Sequence, residues 1–589
     1  MAARLRAAVA HAEARCCRVG DAVDALERDM MAKLAAMLDH GFATLDAAPL
    51  LAKCGLYLLL CMHSLYLLLC VELVFAVHTR FYLRAGSSHA PREKATQAER
   101  DDDADQAICV WARLVDEVPR DQLLEVIRGW FRTAPLSSRA IDPAEPALRR
   151  GDVFAFVAWS VYGRSVQLPP AHVAEVSRIV RRIEARMGAA LPAGREPGAR
   201  FLSYTCDALE PCWKPLLFHV ALWLLEALFH AYIVHVARFE LRTAGQLSYW
   251  HRAPRRPAPA DAAAPVCFVH GIGGLFGYVL IVRRLAATHD GALLLPLFPS
   301  FTVSQLPTLA AMRAHPSHRE MISSLHKMTR VEGAPVFVAH SLGTAIVAAL
   351  LKRHPASALG VLLSDAICFL IYTRSVAYNF LYARPPLWPR LERRADADAP
   401  PSRVRAIFHA VQWRFVGTIP SVQSYFRREF ALWANYALHP LDLPCDALVI
   451  LSGRDTVADA CAVYDHLRAH APSARSELRV ELHERWVHGY VMIGGRAARD
   501  IAAWASTRAS QRPRSPQPCA DEIATPGTTA VMEERGEEAS EQGDATPERD
   551  FAGCGASGSL TVTPVHSAAR RRLIASHPAV GGAHRAPRP

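Results

Sequence analysis

The stretch Ala339-His340-Ser341-Leu342-Gly343 lies between two apolar runs of different kinds. The run before it, Val336-Phe337-Val338, is β-branched and aromatic, which is typical of a buried strand. The run after it, residues 344–351, has the length and apolar character of a packed helix. Small residues two before and two after Ser341 permit a tight turn that exposes the hydroxyl, although Ala339 replaces the first glycine of the usual G-x-S-x-G. We therefore predict a strand, a sharp turn carrying a serine nucleophile, and a helix.

A second turn precedes this one. The apolar run Val266-Cys267-Phe268-Val269 predicts a buried strand that ends at His270-Gly271-Ile272-Gly273-Gly274, and residues 275–288 predict the next helix. A His-Gly turn at this place supplies one backbone N–H to an oxyanion hole, here that of Ile272, and Leu342 supplies the other. A plain strand-to-helix turn or a weak phosphate loop is the alternative. The position upstream of Ser341 favours the oxyanion hole.

The rest of the pattern alternates strands with helices. Further strands are expected at residues 291–297, 361–364, 447–451 and 478–482, the last at an edge, and helices at 317–329 and 492–506. This alternation predicts a doubly wound, mainly parallel sheet. The chain order serine, acid, histidine then indicates an α/β-hydrolase fold over residues 262–506. Residues 239–265 are few for two full strands, so the first strands of the sheet are expected to be missing or degenerate.

Two aspartates can act as the acid of a catalytic triad. Asp455 follows the strand before the last, where this fold usually holds its carboxylate, and it is our first choice. Asp365 follows the strand after the serine turn and is the alternative. Asp459 and Asp465 are expected to be solvated helix residues.

For the base we prefer His488, which lies in the loop after the last strand, over His483 at the end of the strand pattern. His340 adjoins Ser341 along the chain and is expected to border the site, since an adjacent side chain cannot easily reach the hydroxyl. With Ser341 as nucleophile the predicted chemistry is acyl transfer on an ester, thioester or amide. The aspartate-nucleophile reactions of this fold are disfavoured.

Four stretches carry a resemblance to a known group. They are Ser364-Asp365-Ala366-Ile367-Cys368-Phe369, residues 376–382, Leu451-Ser452-Gly453-Arg454-Asp455 and His270-Gly271-Ile272-Gly273, with a weaker match at residues 151–159. In them the chain resembles an uncharacterised group of membrane-associated α/β-hydrolases (AB hydrolase-1 domain) of fungi and algae. Ala366 stands where that group usually has proline. The resemblance implies the fold and a hydrolase activity, and it implies no substrate.

An insertion at about residues 367–443 predicts a helical cap over the site. It contains 14 Phe, Trp and Tyr residues, roughly twice the share of 8% in the whole chain. Such a cap favours an apolar acyl or sterol-like pocket and hence a lipid or other apolar ester as substrate. The equally weighted alternative is that the rings only pack the cap on the core.

Composition excludes several functions. The net charge of +11 comes without an aromatic-interleaved basic stripe, so nucleic-acid binding is not expected. The 14 cysteines form no C-x-x-C pair, and no His/Cys spacing for zinc is visible, so we predict no metal and no cofactor. Cysteines scattered in this way are expected to be reduced thiols and not members of a disulfide framework.

Two apolar runs predict membrane association. Residues 54–77 have the length of a transmembrane helix and lie too far from Met1 for an ordinary signal peptide. Residues 216–236 carry a polar stripe of His219, Glu226 and His230, so this second run is predicted to span the membrane or, alternatively, to lie at its interface or in the protein core. One span or two therefore stays open.

Basic residues set the predicted orientation. Those that follow the two runs are Arg80, Arg84, Arg92 and Lys94, then Arg238, Arg242, Arg252, Arg255 and Arg256. Both clusters favour the cytosolic side of the membrane. Two consecutive spans would place the clusters on opposite sides, so both preferences cannot be met if both runs span. The hydrolase domain follows the second cluster and is expected to be cytosolic.

The remaining segments complete the expected organisation. Residues 1–53 are predicted to be helical, 86–106 a polar linker, 107–210 a helical region and 508–589 a disordered tail.

The sequence supports two candidate functions from different classes. The first is a membrane-anchored serine hydrolase that cleaves an acyl ester. The alternative is a catalytically inactive, hydrolase-like membrane scaffold or binding protein.

Overall fold

In the computed structural model, a mixed sheet of eight strands carries the turn at Ser341. The strands are β1 (Glu240–Ala244), β2 (Leu247–Arg252), β3 (Val266–Val269), β4 (Leu293–Pro296), β5 (Val336–His340), β6 (Gly360–Ser364), β7 (Ala447–Arg454) and β8 (Leu478–Val487). Their spatial order is β8-β7-β6-β5-β3-β4-β2-β1. The six strands from β8 to β4 pair in parallel, whereas β2 is antiparallel to both β4 and β1. This order, with helices as the crossovers, is the α/β-hydrolase fold.

The structure describes most of the chain between residues 50 and 511. The described ranges are 50–87, 96–132, 147–163, 167–209, 212–255, 263–303, 316–383, 413–430, 436–474 and 476–511, with single residues 29, 32, 33, 36, 410 and 433. Nearly all of the N-terminal segment 1–53, the tail beyond residue 511 and a large part of the expected cap lie outside them.

Fourteen helices are found among the described residues. They are α1 (Leu50–Ser87), α2 (Gln97–Glu117), α3 (Arg120–Arg128), α4 (Arg150–Tyr162), α5 (Pro170–Met187), α6 (Leu216–Ala231), α7 (Val279–Thr288), α8 (His318–Glu332), α9 (Leu342–Arg353), α10 (Arg374–Ala377), α11 (Pro420–Arg428), α12 (Ala460–His470), α13 (Tyr490–Ile493) and α14 (Gly495–Ser510). A π-helical turn, Tyr232–Val236, extends α6, and a 3-10 turn, Leu275–Tyr278, precedes α7.

The sheet is covered on both faces. Along β5, Val336 and Val338 belong to one buried apolar cluster, while Phe337 and Ala339 belong to the other. Successive side chains of a strand point to opposite faces, so an uninterrupted apolar run is what a two-sided core requires. The run preceding Ser341 therefore places the serine at the carboxyl end of a central, fully buried strand.

The first two strands of the sheet are present, and the expectation that they are missing or degenerate is wrong. Strands β1 and β2 form a hairpin in which Ala244 pairs with Leu247, so only Gly245 and Gln246 connect them. Gly245 has φ 61°, a conformation that glycine adopts without a steric penalty. The short connection lets two full strands fit into a segment that is too short for strands with ordinary loops.

The expected linker is helical in its second half. Thr96 caps α2, because its hydroxyl accepts the Glu99 N–H while the Glu99 carboxylate accepts the Thr96 N–H. Asp102, within the acidic run, pairs with Arg319 of α8 at 2.8 Å. The acidic run therefore attaches the helical region to the hydrolase core instead of separating the two.

Two described helices are long and apolar enough to cross a membrane. One covers Tyr57–Arg80 within α1, and the other covers Leu216–Val236, which is α6 with its π-helical turn. The Glu72 carboxylate of α1 accepts the backbone N–H groups of Leu216 and Leu217 at 2.9 and 3.0 Å. A carboxylate at a helix N-terminus satisfies free N–H groups and complements the helix dipole. Glu72 therefore joins the two helices.

The second half of α6 belongs to the core of the hydrolase domain. Phe229 and Ile233 are buried in the same cluster as Leu275 and Tyr278, next to the His-Gly turn. The opposite face exposes large apolar side chains, namely Leu217, Val220, Trp223, Leu224, Leu225 and Leu228. Thus α6 has one side against protein and one apolar side free.

We expect Gly343→Ala to destabilise the protein by about 1–3 kcal/mol, as overpacking does. A Cβ on Gly343 would lie 2.4 Å from the Val269 carbonyl oxygen and 2.8 Å from that of His270. Gly198→Ala is the matched control, since a Cβ there meets nothing within 4 Å, and it should change stability by less than about 0.5 kcal/mol. Thermal unfolding in detergent measures both, and equal shifts would contradict the packing argument.

Candidate active site

Ser341 lies in a strained turn between β5 and α9. Its φ of 51° and ψ of −120° are rare for a residue with a side chain. Such strain persists only where the surroundings enforce it, and it is common where a side chain must be presented for chemistry. Here the absence of a side chain on Gly343 lets α9 approach the Val269 carbonyl of β3. The tight approach of the helix to the strand holds the serine in its turn.

Three side chains from separate strand ends meet at this turn. His488 Nε2 lies 2.8 Å from Ser341 Oγ, and His488 Nδ1 lies 2.8 Å from Asp455 Oδ2. Because the carboxylate accepts the Nδ1–H, Nε2 carries the lone pair and faces the serine hydroxyl. All three residues are buried, with relative exposures of 8% for Ser341, 4% for His488 and 7% for Asp455. The arrangement can transfer a proton from the hydroxyl to a carboxylate-oriented imidazole.

The other oxygen of Asp455 fixes the direction of this carboxylate. Asp455 Oδ1 accepts the backbone N–H groups of Val457 and Ala458 at 2.6 and 3.1 Å. These bonds belong to the turn that follows β7, so the backbone itself orients the acid. Asp455 Oδ2 is thereby directed at His488.

Asp365, the alternative acid, does not contact the His488 ring. Its Oδ1 accepts the Ser452 N–H at 3.1 Å, and its Oδ2 accepts the Gly489 N–H at 2.7 Å and the His340 Nε2–H at 3.2 Å. Asp365 therefore contacts the backbone beside His488 and holds the loop, whereas Asp455 contacts the imidazole.

His340 continues this network away from Ser341. The Tyr278 hydroxyl donates to His340 Nδ1 at 2.7 Å and accepts the Gly271 N–H at 2.9 Å. The hydrogen bonds run from the His-Gly turn through Tyr278 and His340 to Asp365. Buried polar groups that are fully paired in this way make a site rigid. Sequence reasoning did not find Tyr278, since only the tertiary fold brings its hydroxyl to His340.

Electrostatics separate the two buried histidines. Burial opposes protonation of His488, but the charge and hydrogen bond of Asp455 outweigh it and raise the pKa of His488 to about 9. Burial dominates at His340 and lowers its pKa, despite the hydrogen bond to Asp365. The imidazole that faces Ser341 is thus the more basic of the two.

His270 has a structural place in the turn. Its Nδ1–H donates to the Gly271 carbonyl at 2.7 Å, and burial lowers its pKa to about 4, so the ring is neutral. Ile272 follows, and among the described residues its N–H makes no backbone hydrogen bond. Leu342 is the first residue of α9, so its N–H is one of the unpaired donors of a helix N-terminus. His483 lies away from the site and stacks on Trp486, with ring centroids 3.7 Å apart.

Comparisons with known proteins complete this description. No protein-family model matches the chain, and no curated protein matches it. An α/β-hydrolase enzyme from the metagenome of lagoon sediments in Morocco is 13% identical with a TM-score of 0.29, over 46% of this chain and 99% of that one.

Two further solved structures have similar values. A membrane phospholipase A, described as a bacterial virulence factor, is 15% identical with a TM-score of 0.32, over 50% of this chain and 94% of its own. A naproxen esterase from Bacillus subtilis is 10% identical with a TM-score of 0.32, over 48% and 96%. The assignment of the fold rests on the strand order and connections described above.

We expect Asp455→Asn to lower kcat by about four orders of magnitude, since an amide no longer selects the tautomer with Nδ1–H. In the unchanged protein, kcat/KM should rise with pH through an apparent pKa above 6.5, because only neutral His488 accepts a proton. Loss of the Asp455 charge should move this rise to lower pH. Hydrolysis of a chromogenic ester between pH 5 and 10 measures both.

The matched control is Asp365→Asn, which changes the same functional group at the end of the neighbouring strand. The asparagine has one acceptor oxygen, so it keeps a partner for only one of the Ser452 and Gly489 N–H groups, but it does not touch the His488 imidazole. A loss below about 100-fold is expected for a residue that acts through the loop. If Asp365→Asn were the more damaging change, the roles of the two acids would be reversed.

Proposed function

We propose that the protein is a membrane-anchored serine hydrolase that cleaves an acyl ester. The observation that carries this proposal is the position of His488, 2.8 Å from both Ser341 and Asp455. In the proposed reaction Ser341 is the nucleophile, His488 the general base and Asp455 the orienting acid.

The reaction follows from these positions. His488 Nε2 takes the proton of Ser341 as Oγ bonds to the ester carbonyl carbon, and the carbonyl electron pair moves onto oxygen. The N–H groups of Leu342 and Ile272 donate to this oxyanion. The C–O bond to the alcohol then breaks, and His488 gives the alcohol its proton. Water repeats the sequence on the acyl-enzyme and restores Ser341.

An apolar, lipid-like ester is the proposed substrate. Support comes from the packing of α6, whose Phe229 and Ile233 contact the cluster that contains Tyr278, and Tyr278 hydrogen-bonds His340 beside Ser341. The helix with an exposed apolar face thus adjoins the wall of the site. An ester dissolved in a bilayer would meet the protein at this face.

Most described aromatic rings of the expected cap pack on the core, whereas Phe415 is exposed. Tyr425 contacts Phe301, and Trp433 stacks on Trp111 with ring centroids 4.9 Å apart. For these rings the packing interpretation is favoured over a pocket lining. The proposal of an apolar substrate therefore depends on α6 and not on the aromatic content of the cap.

Anchoring is proposed through α1, with α6 beside it and the exposed apolar face of α6 in contact with lipid. The proposal that α1 is the anchor rests on its 24-residue apolar segment, Tyr57–Arg80, whose most apolar part is not buried in the protein. In contrast, one side of α6 packs in the protein core. With α1 as the single span, both arginine clusters can lie on the cytosolic side, and the hydrolase domain with them.

Membership in the fungal and algal membrane-associated group stays a prediction from the four sequence stretches. The inactive scaffold is the competing function, and no described contact favours it.

Ser341→Ala should abolish labelling by a fluorophosphonate and lower ester hydrolysis by roughly 10^4-fold to 10^6-fold, because no other group replaces the nucleophile. The buried Ser364, at the end of the next strand, offers the control Ser364→Ala, which should label normally. Labelling of purified protein with a fluorescent probe is the measurement. Absence of labelling in the unchanged protein would favour the scaffold function.

For the membrane, we expect the full chain to stay in the pellet after alkaline carbonate washing, because α1 spans the bilayer. A variant lacking residues 1–85 should be released by carbonate yet sediment with membranes at neutral pH through α6. Adding Trp223→Asp and Leu224→Asp should abolish this residual binding, since both side chains are exposed.

Val331→Asp is the control for the added charge, since Val331 is an exposed apolar residue of α8 at 74% exposure. It should leave membrane binding unchanged, and fluorophosphonate labelling verifies that each variant is folded. A truncated protein that resists carbonate would show that residues 216–236 span the bilayer by themselves.

A further inference from the structure

A cluster of three histidines lies outside the candidate active site. His466 and His470 are on α12, and His439 precedes the 3-10 turn Pro440–Asp442. One ring nitrogen from each lies within 4.8 Å of the other two, and all three residues are half-buried. The rings are therefore partly accessible to solvent, that of His439 only slightly.

The helix brings two of these rings together. Residues four apart lie on the same face of an α-helix, and the His466 and His470 ring centroids are 4.5 Å apart. The His439 ring lies 4.9 Å from that of His470 and 5.6 Å from that of His466. No zinc spacing was visible in the sequence, because His466 and His470 are only a pair there and His439 lies almost 30 residues upstream of them.

Hydrogen bonds orient two of these rings. His470 donates its Nδ1–H to the His466 carbonyl at 2.8 Å, so Nε2 keeps a free lone pair. His439 Nε2 lies 3.0 Å from the Glu117 carboxylate, and its Nδ1 accepts the Leu441 N–H at 3.2 Å. Glu117 thus brings a carboxylate to three imidazoles, a donor set typical of zinc proteins.

We propose that His439, His466 and His470 bind a divalent transition metal, with zinc preferred, and that Glu117 ligates it or orients His439. Imidazole nitrogens suit Zn²⁺, Co²⁺, Ni²⁺ and Cu²⁺, whereas Mg²⁺ and Ca²⁺ require oxygen ligands. Tetrahedral zinc with bonds of about 2.0–2.1 Å places its ligand nitrogens about 3.4 Å apart. Binding therefore draws the rings together by about 1 Å, and one nitrogen of His439 exchanges its present hydrogen bond for the metal.

The position of the cluster gives the metal a structural role. Asp459 caps α12 at the end next to Asp455, and His466 and His470 lie about 10–16 Å further along the helix at 1.5 Å per residue. The metal would therefore not touch Ser341. Glu117 ends α2, and Arg113 of the same helix pairs with Asp442 at 2.9 Å. The metal would fasten the helical region to the hydrolase core at this contact.

The decisive test is metal binding by the full chain, purified in detergent through a tag without histidine. After chelation and reconstitution with Zn²⁺, mass spectrometry of the bound metal should give about one equivalent per chain. Replacement by Co²⁺ should give visible absorption bands of tetrahedral cobalt with nitrogen ligands. Failure of the unchanged protein to bind any of Zn²⁺, Co²⁺, Ni²⁺ and Cu²⁺ near one equivalent overturns the proposal without recourse to variants.

Variants assign the ligands. His466→Ala with His470→Ala should abolish stoichiometric binding, and Glu117→Gln should weaken it about 10-fold to 100-fold. The matched control is His326→Ala with His354→Ala, which removes another pair of adjacent histidine rings, with centroids 3.7 Å apart, and should bind metal normally. Equal binding by the two double variants would place the metal elsewhere and refute the assignment.

Function and stability provide the last readout. Removal of the metal should lower the thermal midpoint of unfolding, as loss of any ligand of the native state does, while the rate of fluorophosphonate labelling at Ser341 stays unchanged. Loss of labelling together with the metal would contradict the structural role. Because the metal measurement does not depend on ester hydrolysis, its outcome is separate from that of the proposed function.

Discussion

The contact between Gly343 and strand β3 is the constraint on which the site depends. With a side chain at this position, α9 could not start within reach of the Val269 carbonyl. Because it does, the chain must reverse over Ser341 alone, which explains the φ of 51° there. The same contact sets the Leu342 N–H at the helix N-terminus. Because Gly343 has no Cβ, the chain can both hold Ser341 in this turn and place one unpaired N–H, that of Leu342, beside it.

Two aspartates near this turn hold His488 by different contacts. Asp455 contacts the imidazole, and Asp365 contacts the backbone of the next residue, Gly489. Burying a carboxylate costs several kcal/mol unless its oxygens accept hydrogen bonds, and each of these carboxylates accepts at least three. The loop that carries His488 is therefore held from two neighbouring strand ends, which suits the proposed role of His488 as a base aligned with the Ser341 hydroxyl.

The attachment of α6 relates the site to a membrane. Glu72 closes the N-terminus of α6, while Phe229 and Ile233 enter the core beside Tyr278. One helix thus contacts both the apolar helix α1 and the turn next to Ser341. In the proposed arrangement this places the catalytic centre close to the bilayer surface, so that an apolar ester can reach it without crossing much water.

The sequence by itself determined the local pattern of the fold. This pattern comprises the apolar runs of the central strands, the small residues around Ser341, and the order of strands and helices that defines an α/β-hydrolase. These features are local, because strand and helix periodicity and turn sterics depend on neighbouring residues. Two local predictions were wrong. The β1–β2 hairpin was not expected, because its two-residue turn needs less chain than an ordinary loop. The acidic start of α2 was expected to be a linker, but a capping box at Thr96 starts the helix there. Only the tertiary structure decided that Asp455 and not Asp365 faces His488, that Tyr278 joins His340, and that His439 meets His466 and His470. These pairings join residues far apart in sequence, and their distances follow from strand order and packing, which no local pattern encodes.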